Sequence, residues 1–286
     1  MTILGTGTGL IAAWLLGASA GALGLLALLW LRMRRVRLQV EAEYLSAVAE
    51  FAQSEELREG RAHFAGIRGE APRRLLAALA GPGVPVGPLS WRSSGRLRYD
   101  RDRVVSAETF LLPGRWWAQI RRVRLRRFGW VDEIHRVGGA GASSSFWWLG
   151  LFRVRRPGFG PSDIALTAQA LGDGVLAPWS WFAGGAVDWD VTDDGGDWEG
   201  ALPGTGQRVT LHLDRMGRPQ WVRIAAADTG DTVQVEFGDW HWSDGALVPS
   251  HLRVIEGVDT VNAYVHLDAQ IHQIRRAPGP VRTPAG

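Results

Sequence analysis

The sequence feature that most constrains the fold is a long uncharged segment near the amino terminus. From Leu10 to Leu31, 22 residues carry no charged side chain, and Trp14 and Trp30 lie near the two ends. A helix of about 20 apolar residues spans the roughly 30 Å hydrocarbon core of a bilayer, and tryptophan favours the bilayer interface. The segment therefore predicts a transmembrane helix over residues 10–31, after an amino-terminal tail over residues 1–9.

The basic residues that follow this segment predict its orientation. No charged side chain precedes the span, whereas four arginines come directly after it: Arg32, Arg34, Arg35 and Arg37. By the positive-inside rule, this asymmetry places the rest of the chain in the cytoplasm, held at the inner or plasma membrane by a single span. The same arginines are candidates for contact with anionic lipid headgroups, and the alternative is that they only determine the topology.

A cleaved signal peptide is the competing interpretation of the apolar segment. The small residues Ala18–Ala20 resemble a cleavage site that follows an apolar region. However, no basic residue precedes the region, and the apolar run continues for eleven residues beyond Ala20. These two features favour an uncleaved anchor.

The composition excludes several classes of function. The chain has 32 basic and 29 acidic residues and a formal charge of +3, so it lacks the basic excess of a dedicated nucleic-acid-binding protein. It contains no cysteine, which excludes disulfides, thiolate metal ligands and a cysteine nucleophile. We therefore expect no nucleic-acid partner.

A basic juxtamembrane stretch and a helical neck are predicted over residues 32–80. Apolar residues recur at helical spacing between Tyr44 and Ala52, with acidic residues around them, which predicts an amphipathic helix. A second short helix is expected between Pro72 and Gly81, because proline favours the first turn of a helix and glycine its end. The segment "GPGVPVGP" at 81–88 cannot continue a helix and marks the end of the neck.

Residues 81–276 are predicted to form one β-rich domain, followed by a disordered tail over residues 277–286. Short alternating runs separated by turn residues are typical of strands, and "RVTLHLDRMGRPQWVRI" reads as a hairpin. One helix is expected inside this region, capped by Ser162, weakened by Gly172 and Gly174 and ended by Pro178. The predicted fold class is mainly β with helices (α+β), with a curved antiparallel sheet or partial barrel packed against the inserted helix.

Three stretches in this region carry a family resemblance. They are "FGWVDEIHRVGG", then "ALGDGVLAPWSWF" leading into "AVDWDVTDD", then "VTLHLDRMGRPQWVRI" followed by "DGALVPSHLRV". From Gly81 to Ile274 the chain resembles an uncharacterised bacterial domain-of-unknown-function family of membrane-anchored β-rich proteins. That resemblance implies a membrane-tethered β-rich domain and transfers no catalytic residue. More remotely, the order of elements looks like lipoprotein-carrier half-barrels that hold acyl chains.

Two patterns in the sequence are candidate metal sites, and each also has a structural explanation. The acidic run that starts at Asp188 lacks the glycine that a calcium loop needs at its sixth position, where Asp193 stands, so a hairpin is the better interpretation. The second pattern consists of two pairs of residues spaced two apart, His212 with Asp214 and His266 with Asp268. These pairs would form a metal site of mixed histidine and carboxylate ligands only if their strands were neighbours. We predict no metal and no cofactor.

No serine-hydrolase elbow, phosphate-binding loop or dinucleotide fingerprint is present in the sequence. The segment "GASSS" at Gly141–Ser145 offers serines but reads as a flexible loop. Hydrolase chemistry would require the fold to supply a base and an orienting acid from elsewhere in the chain. No catalytic residue is predicted.

A run of arginines, "RRVRLRR", offers a second basic surface. Its alternation places three side chains on one face of a strand: Arg122, Arg124 and Arg126. These side chains either form a solvated face or meet phosphate groups, and the predicted anchor makes lipid the preferred partner.

The unusual tryptophan content suggests a third site. The chain has 15 tryptophans, and seven of them cluster around the inserted helix: Trp147, Trp148, Trp179, Trp181, Trp189, Trp240 and Trp242. A concave sheet lined by these side chains would suit an acyl chain or another apolar ligand, and the alternative is an ordinary filled core.

Three functions remain open from the sequence. The leading hypothesis is non-enzymatic binding of a membrane lipid or another apolar ligand at the membrane surface. The alternative is a structural or protein-interaction module, assembling as a homo-oligomer or with a membrane protein partner. The third is a hydrolase-type or metal-dependent enzyme.

Overall fold

The structure, a computed structural model, describes most of the chain. The described residues are 5–53, 74–75, 78–79, 87–98, 101–125, 129–138, 141–154, 161–181, 187–190, 197–226, 228–243, 245–258 and 263–276, without the side chains of residues 5–13, 33, 51–53 and 179. The predicted tail at 277–286 and most of the 81–88 segment lie outside this set.

The predicted span and the start of the predicted neck form one helix, α1, which extends over Gly5–Gln53. After Gly24 the helix contains neither glycine nor proline, so nothing in the sequence interrupts it between the apolar segment and the neck. None of the described side chains in its most apolar window is buried, and the helix is long and apolar enough to cross a membrane, with a mean hydropathy of 1.9 over that window. The helix begins five residues before Leu10, within the predicted tail.

Among the described residues, thirteen strands form one antiparallel sheet. The strands are β1 (Leu89–Arg98), β2 (Asp102–Leu112), β3 (Trp116–Arg124), β4 (Trp130–Gly138), β5 (Gly141–Trp148), β6 (Phe152–Val154), β7 (Asp188–Asp190), β8 (Asp197–Ala201), β9 (Arg208–Leu213), β10 (Pro219–Ala225), β11 (Thr232–Ser243), β12 (Ala246–Glu256) and β13 (Tyr264–Arg276). Their order is β6-β5-β4-β3-β2-β1-β13-β12-β11-β10-β9-β8-β7. Two meanders, β1–β6 and β7–β13, are thus joined by the pairing of β1 with β13.

The second helix, α2 (Asp163–Asp173), lies in the connection between the two edge strands β6 and β7. Ser162 caps it as predicted, since its Oγ accepts a hydrogen bond of 3.2 Å from the backbone N–H of Ala165. After Asp173 the chain continues in two 3-10 turns, Gly174–Leu176 and Pro178–Trp181. The inserted helix is therefore confirmed, although the regular α-helix ends at Asp173, before the predicted end at Pro178.

The sheet curls around α2. This helix contacts β4 and β5 from the first meander and also β10, β11 and β12 from the second. In a flat sheet β4 and β11 would lie about 29 Å apart, at about 4.8 Å per strand, whereas α2 is only about 10 Å wide. Both can touch α2 only if the sheet is strongly curved, so the predicted fold class is confirmed.

The two faces of the sheet have different coverings. The inner face holds the main core, in which α2 packs together with Leu75 and Leu79, helical residues of the predicted second neck helix. The outer face of the first meander is covered by α1, where Val40 and Tyr44 pack against a small apolar cluster on β2, β3 and β4. The part of the predicted neck that belongs to α1 is thus docked on the outer face, whereas Leu75 and Leu79 lie in the inner core.

Local predictions for the strands agree with the structure in most places. The hairpin predicted at 208–225 is formed by β9 and β10, and the acidic run pairs β7 with β8 as expected. The segment "GASSS", predicted to be a flexible loop, instead forms the first part of β5. Serine has a weak strand preference of its own, and pairing with β4 determines its conformation here.

Candidate functional site

A cleft of about 690 Å³ lies between α1 and the outer face of the sheet. It starts at the carboxyl end of the predicted span and reaches across β1, β2, β3, β4 and β13. We call it the juxtamembrane cleft. Its lining is Trp30, Arg34, Val36, Arg37, Arg92, Ser93, Ser94, Ser106, Ala107, Glu108, Ile120, Arg122, Trp130, Asp132, His272 and Gln273.

Positive charge predominates in this cleft. Four of its lining side chains are arginines and two are carboxylates, Glu108 and Asp132. Glu108 contacts both Arg37 of α1 and, at 3.6 Å, Arg92 of β1. Asp132 accepts hydrogen bonds of 2.7 and 3.1 Å from Arg122. The carboxylates thus position the guanidinium groups and leave an excess of two positive charges.

Two tryptophans contribute apolar surface beneath arginines in the cleft. The guanidinium of Arg34 lies 4.6 Å from the ring centre of Trp30, and that of Arg122 lies 5.0 Å from the ring centre of Trp130. Such stacking restrains the guanidinium plane without using its N–H donors. The guanidinium of Arg122 is thus held both by Trp130 and by Asp132.

A second cleft of about 600 Å³ continues the basic surface past Trp130. It shares Arg122 with the first cleft and adds Arg103 and Arg124. The two clefts together form one basic strip along the outer face.

The structure brings together some of the predicted membrane-surface arginines. Arg34, Arg37 and Arg122 line the juxtamembrane cleft, and Arg124 lines its continuation. Arg32 and Arg35 lie on α1 but outside both linings, and Arg126 is outside the described residues. Sequence reasoning missed Arg92, because only the pairing of β1 with β2 places it beside the other arginines.

The predicted tryptophan groove is distributed over several environments. Trp181 and Trp189 belong to the inner core, where the Trp189 indole donates a 3.1 Å hydrogen bond to the carbonyl of Trp181. Trp147 packs on the outer face beside α1, whereas Trp148 and Trp242 are exposed. Trp240 is partly buried against the core, and the side chain of Trp179 is outside the described set. The six described side chains do not line one surface.

The inner face contains a row of polar side chains across four neighbouring strands. Register pairs Thr109 of β2 with Gln119 of β3, Gln119 with His135 of β4, and His135 with Ser144 of β5. Gln119 donates a 2.8 Å hydrogen bond to Thr109, and His135 and Ser144 are joined at 2.9 Å. We call these four residues the inner polar row.

A buried arginine next to this row was not predicted. Arg121 is fully buried on the inner face, and its guanidinium donates hydrogen bonds to the side-chain oxygens of Gln119 and of Gln169 on α2. Burial lowers its pKa to about 10, although Asp173 and Glu256 oppose the shift. The sequence contains one indication of this burial. Alternation along the strand places Arg121 on the same face as Val123 and Leu125 and on the face opposite Arg122.

Buried carboxyl groups flank the arginine. Glu133 pairs with Arg121 across β3 and β4, but its Oε2 lies 3.2 Å from His135 Nε2 instead. Burial raises the pKa of Glu133 to about 8. Burial also raises the pKa of Asp173 to about 7, although the hydrogen bond from Trp117 and the positive charge of Arg121 both act to lower this pKa. At pH 7 Glu133 is therefore largely protonated.

The two His-and-Asp pairs weighed as a mixed metal site are far apart in the sheet. Three strands separate β9, which carries His212, from β13, which carries His266. His212 contacts Asp197 of β8, whereas His266 is buried with its Nδ1 3.3 Å from Glu256. Burial and the charge of Arg121 lower the pKa of His266 to about 3, so this contact is not an ion pair at pH 7. No cluster of three or more possible metal ligands occurs among the described residues.

Comparison with solved structures finds remote likenesses. One is an outer membrane lipoprotein-sorting protein domain from Vibrio parahaemolyticus, with a TM-score of 0.45 and 11% identity over 73% of this chain and 92% of that one. Another is a LolA superfamily protein from Nitrosomonas europaea, with a TM-score of 0.44 and 12% identity over 74% of this chain and 96% of that one. A third is a DUF1329 family protein from Desulfovibrio piger, with a TM-score of 0.45 and 10% identity over 77% and 93%.

These descriptions agree with the resemblance to lipoprotein-carrier half-barrels and to a family of unknown function that the sequence predicts. No family model and no curated protein matches the chain.

Proposed function

We propose that this protein is a membrane-tethered module that binds anionic lipid headgroups in the juxtamembrane cleft. The observation that carries the proposal is the position of this cleft. Its arginines come both from α1, just after the apolar segment, and from the outer face of the sheet. A single site thus combines a membrane anchor with converging guanidinium groups.

The helix geometry supports a position of the cleft at the height of the lipid headgroups. Trp30 marks the end of the apolar segment, and Arg34 and Arg37 follow it by four and seven residues on one uninterrupted helix. At about 1.5 Å per residue they lie roughly 6 and 10 Å beyond Trp30. The polar layer on each side of the hydrocarbon core is roughly 5 to 8 Å thick. If Trp30 lies at the interface, the backbone of Arg34 lies within this layer. The backbone of Arg37 lies a few ångström beyond it, but helical side chains point back toward the amino terminus and therefore toward the layer.

The chemistry of the lining suits a phosphate group. Guanidinium groups bind phosphate oxygens through paired hydrogen bonds, and basic residues near an anionic surface contribute about 1 kcal/mol each. Ser94 also lines the cleft, is hydrogen-bonded at 2.9 Å to His272 and adds a polar contact. The lipid acyl chains would remain in the bilayer along the exposed apolar part of α1, so they need no groove within the sheet.

Native mass spectrometry of the full-length protein in detergent tests this function. Phosphatidylglycerol and phosphatidylcholine are supplied in equal amounts, and the bound lipids are counted. We expect the wild-type protein to retain phosphatidylglycerol preferentially. A variant with Arg34→Gln, Arg92→Gln and Arg122→Gln should lose this preference by on the order of tenfold to a hundredfold at low salt.

A matched variant controls for net charge. Arg208→Gln, Arg215→Gln and Arg275→Gln also remove three charges, but none of these residues lines the cleft. This variant should bind lipid as the wild-type protein does. Equal retention of both lipids by the wild-type protein, or unchanged preference in the cleft variant, would contradict the proposal.

One observation favours the alternative function, a protein-interaction module. The edge strand β6 and the neighbouring end of β5 expose three apolar side chains: Trp148, Phe152 and Val154. An exposed apolar edge is a typical place for strand addition by a partner chain. A photo-crosslinker at position 152 tests this function, and the same crosslinker at the exposed position 215 is the control. A cross-linked product that forms from position 152 and not from position 215 would support the function.

A further inference from the structure

Three side chains on the inner face form a hydrogen-bonded series of hydroxyl, imidazole and carboxyl groups. Ser144 Oγ lies 2.9 Å from His135 Nδ1, and His135 Nε2 lies 3.2 Å from Glu133 Oε2. His135 and Glu133 are fully buried, whereas Ser144 is partly exposed. A nucleophile within hydrogen-bond reach of a base, with the base held by a third group, is the arrangement that activates a serine hydroxyl.

The sheet itself assembles this series. Glu133 and His135 are two residues apart on β4, so both project from the inner face. The pairing of β4 with β5 sets Ser144 directly opposite His135. The ring of Phe146 meets the His135 ring edge to face at 6.1 Å, which restricts rotation of the imidazole. All three groups therefore lie on paired strands, where their spacing is held by the ladder hydrogen bonds.

Ser144 occupies the open part of its strand. The edge strand β6 pairs only with Phe146–Trp148 at the far end of β5. Among the described residues, no strand covers the stretch of β5 that carries Ser144. The Ser144 side chain is partly exposed, whereas the base behind it is fully buried.

We propose that Ser144 is a nucleophile that accepts the acyl group of a carboxylic ester, with His135 as its base and Glu133 as the residue that positions His135. The Oγ of Ser144 forms a bond to the ester carbonyl carbon while its proton passes to His135 Nδ1. The ester C–O bond breaks, and the leaving alcohol takes that proton from His135. Water then attacks the carbonyl carbon of the acyl-serine while His135 takes its proton. The bond to Ser144 Oγ breaks, the carboxylic acid leaves, and Ser144 takes the proton back from His135.

This site is separate from the juxtamembrane cleft, because it lies on the opposite face of the sheet. Its activity does not depend on headgroup binding by the arginines, and either proposal can fail without the other. Two other serines of β5 serve as controls for the proposed nucleophile. Ser143 and Ser145 are neighbours of Ser144 but project from the outer face, away from His135.

A fluorophosphonate probe applied to the full-length protein in detergent tests the nucleophile. Ser144 Oγ would displace fluoride from phosphorus, and peptide mass spectrometry locates the label. We expect one label, on Ser144, that disappears in Ser144→Ala and remains in Ser143→Ala. Absence of label on Ser144, or equal labelling of Ser143 and Ser144, would overturn the proposal.

The pH dependence of labelling separates a base from a merely structural histidine. Among the charged groups on elements packed against β4, Arg121 of β3 and Asp173 of α2 are buried on the inner face. The others are Arg122 and Arg124 on the outer face of β3, Asp163 at the start of α2, and Glu43 of α1, which pairs with Arg136. Because burial raises the pKa of Glu133 to about 8, its ionised fraction rises about tenfold between pH 7 and pH 9. Labelling of the wild-type protein should rise about as much, since ionised Glu133 stabilises protonated His135.

Two substitutions complete the test. Glu133→Gln cannot ionise, so its labelling should stay flat over the same pH range, apart from the general increase that any exposed serine shows. His135→Asn should abolish labelling while leaving a cooperative thermal transition. If His135→Asn does not fold, the comparison of the wild-type protein with Glu133→Gln decides, and identical pH profiles for these two would overturn the proposed roles.

Discussion

The indole of Trp117 donates a hydrogen bond of 2.8 Å to the carboxyl group of Asp173, and both side chains are buried where α2 meets β3. This bond joins the carboxyl end of the inserted helix to the centre of the first meander. Because burial raises the pKa of Asp173 from its ordinary 3.8 to about 7, the folded protein keeps this proton over a range in which the unfolded chain has lost it. The folded state then binds more protons, and the contribution of Asp173 to stability falls as the pH rises from about 4 to about 7.

Replacement of Asp173 by asparagine should remove the loss of stability that accompanies the rise in pH. Asparagine keeps an oxygen acceptor for Trp117 but has no proton to lose. We expect the melting temperature of Asp173→Asn to exceed that of the wild-type protein at pH 8 and the difference to shrink at pH 5, with a free-energy effect of about 1 to 4 kcal/mol. Circular dichroism melts at both pH values measure it, with the exposed Asp188→Asn as control. A difference that does not depend on pH would contradict the prediction.

His266 should give the opposite pH dependence. Burial and the charge of Arg121 lower its pKa from 6.5 to about 3, so below pH 6.5 the unfolded chain gains a proton that the folded protein excludes. Its contribution to stability is present above pH 6.5 and is lost as the pH falls toward 3. We expect His266→Gln to reduce the acid-induced loss of unfolding free energy between pH 6.5 and pH 4.5 by up to about 3 kcal/mol. Urea titrations measure this loss, and the exposed His241→Gln should behave as the wild-type protein does.

Gly172 allows α2 to approach the sheet closely. A Cβ atom at this position would lie 2.6 Å from Cγ1 of Val235 on β11. Alanine would improve the helix propensity by about 1 kcal/mol, but overpacking costs about 1 to 3 kcal/mol. We therefore expect Gly172→Ala to destabilise the protein in urea titrations. In a Val235→Ala background the same substitution should be close to neutral or stabilising, and an unchanged effect there would exclude this contact as the cause.

Two of the predicted groove tryptophans should differ strongly in their effect on stability. Trp181 is only 1% exposed and its indole donates a 2.7 Å hydrogen bond to the carbonyl of Leu171, whereas Trp242 is 62% exposed. Trp181→Ala should lower the free energy of unfolding by about 3 to 5 kcal/mol, and Trp242→Ala should change it by less than about 0.5 kcal/mol. If Trp242→Ala instead reduces the lipid that co-purifies with the protein, the exposed tryptophan takes part in binding.

The elements that the sequence determined by itself are those whose signal is local. The apolar run predicts α1, Ser162 and the apolar spacing after it predict α2, and period-two alternation predicts strands such as β9 and β10. In each of these, residues within a few positions of one another decide which face is apolar, so one window of sequence contains the physical information.

The candidate sites required the tertiary structure, because their members are distant in the chain and meet through strand register and sheet curvature. Arg34 and Arg92 line one cleft only because α1 docks on the back of the sheet. Ser144 meets His135 because "GASSS" pairs with β4, although its composition favours a loop. Arg121 is buried because the curled sheet closes on α2, which supplies Gln169 to its guanidinium. Such contacts depend on the free energy of the whole packed sheet, which no single window of the sequence expresses.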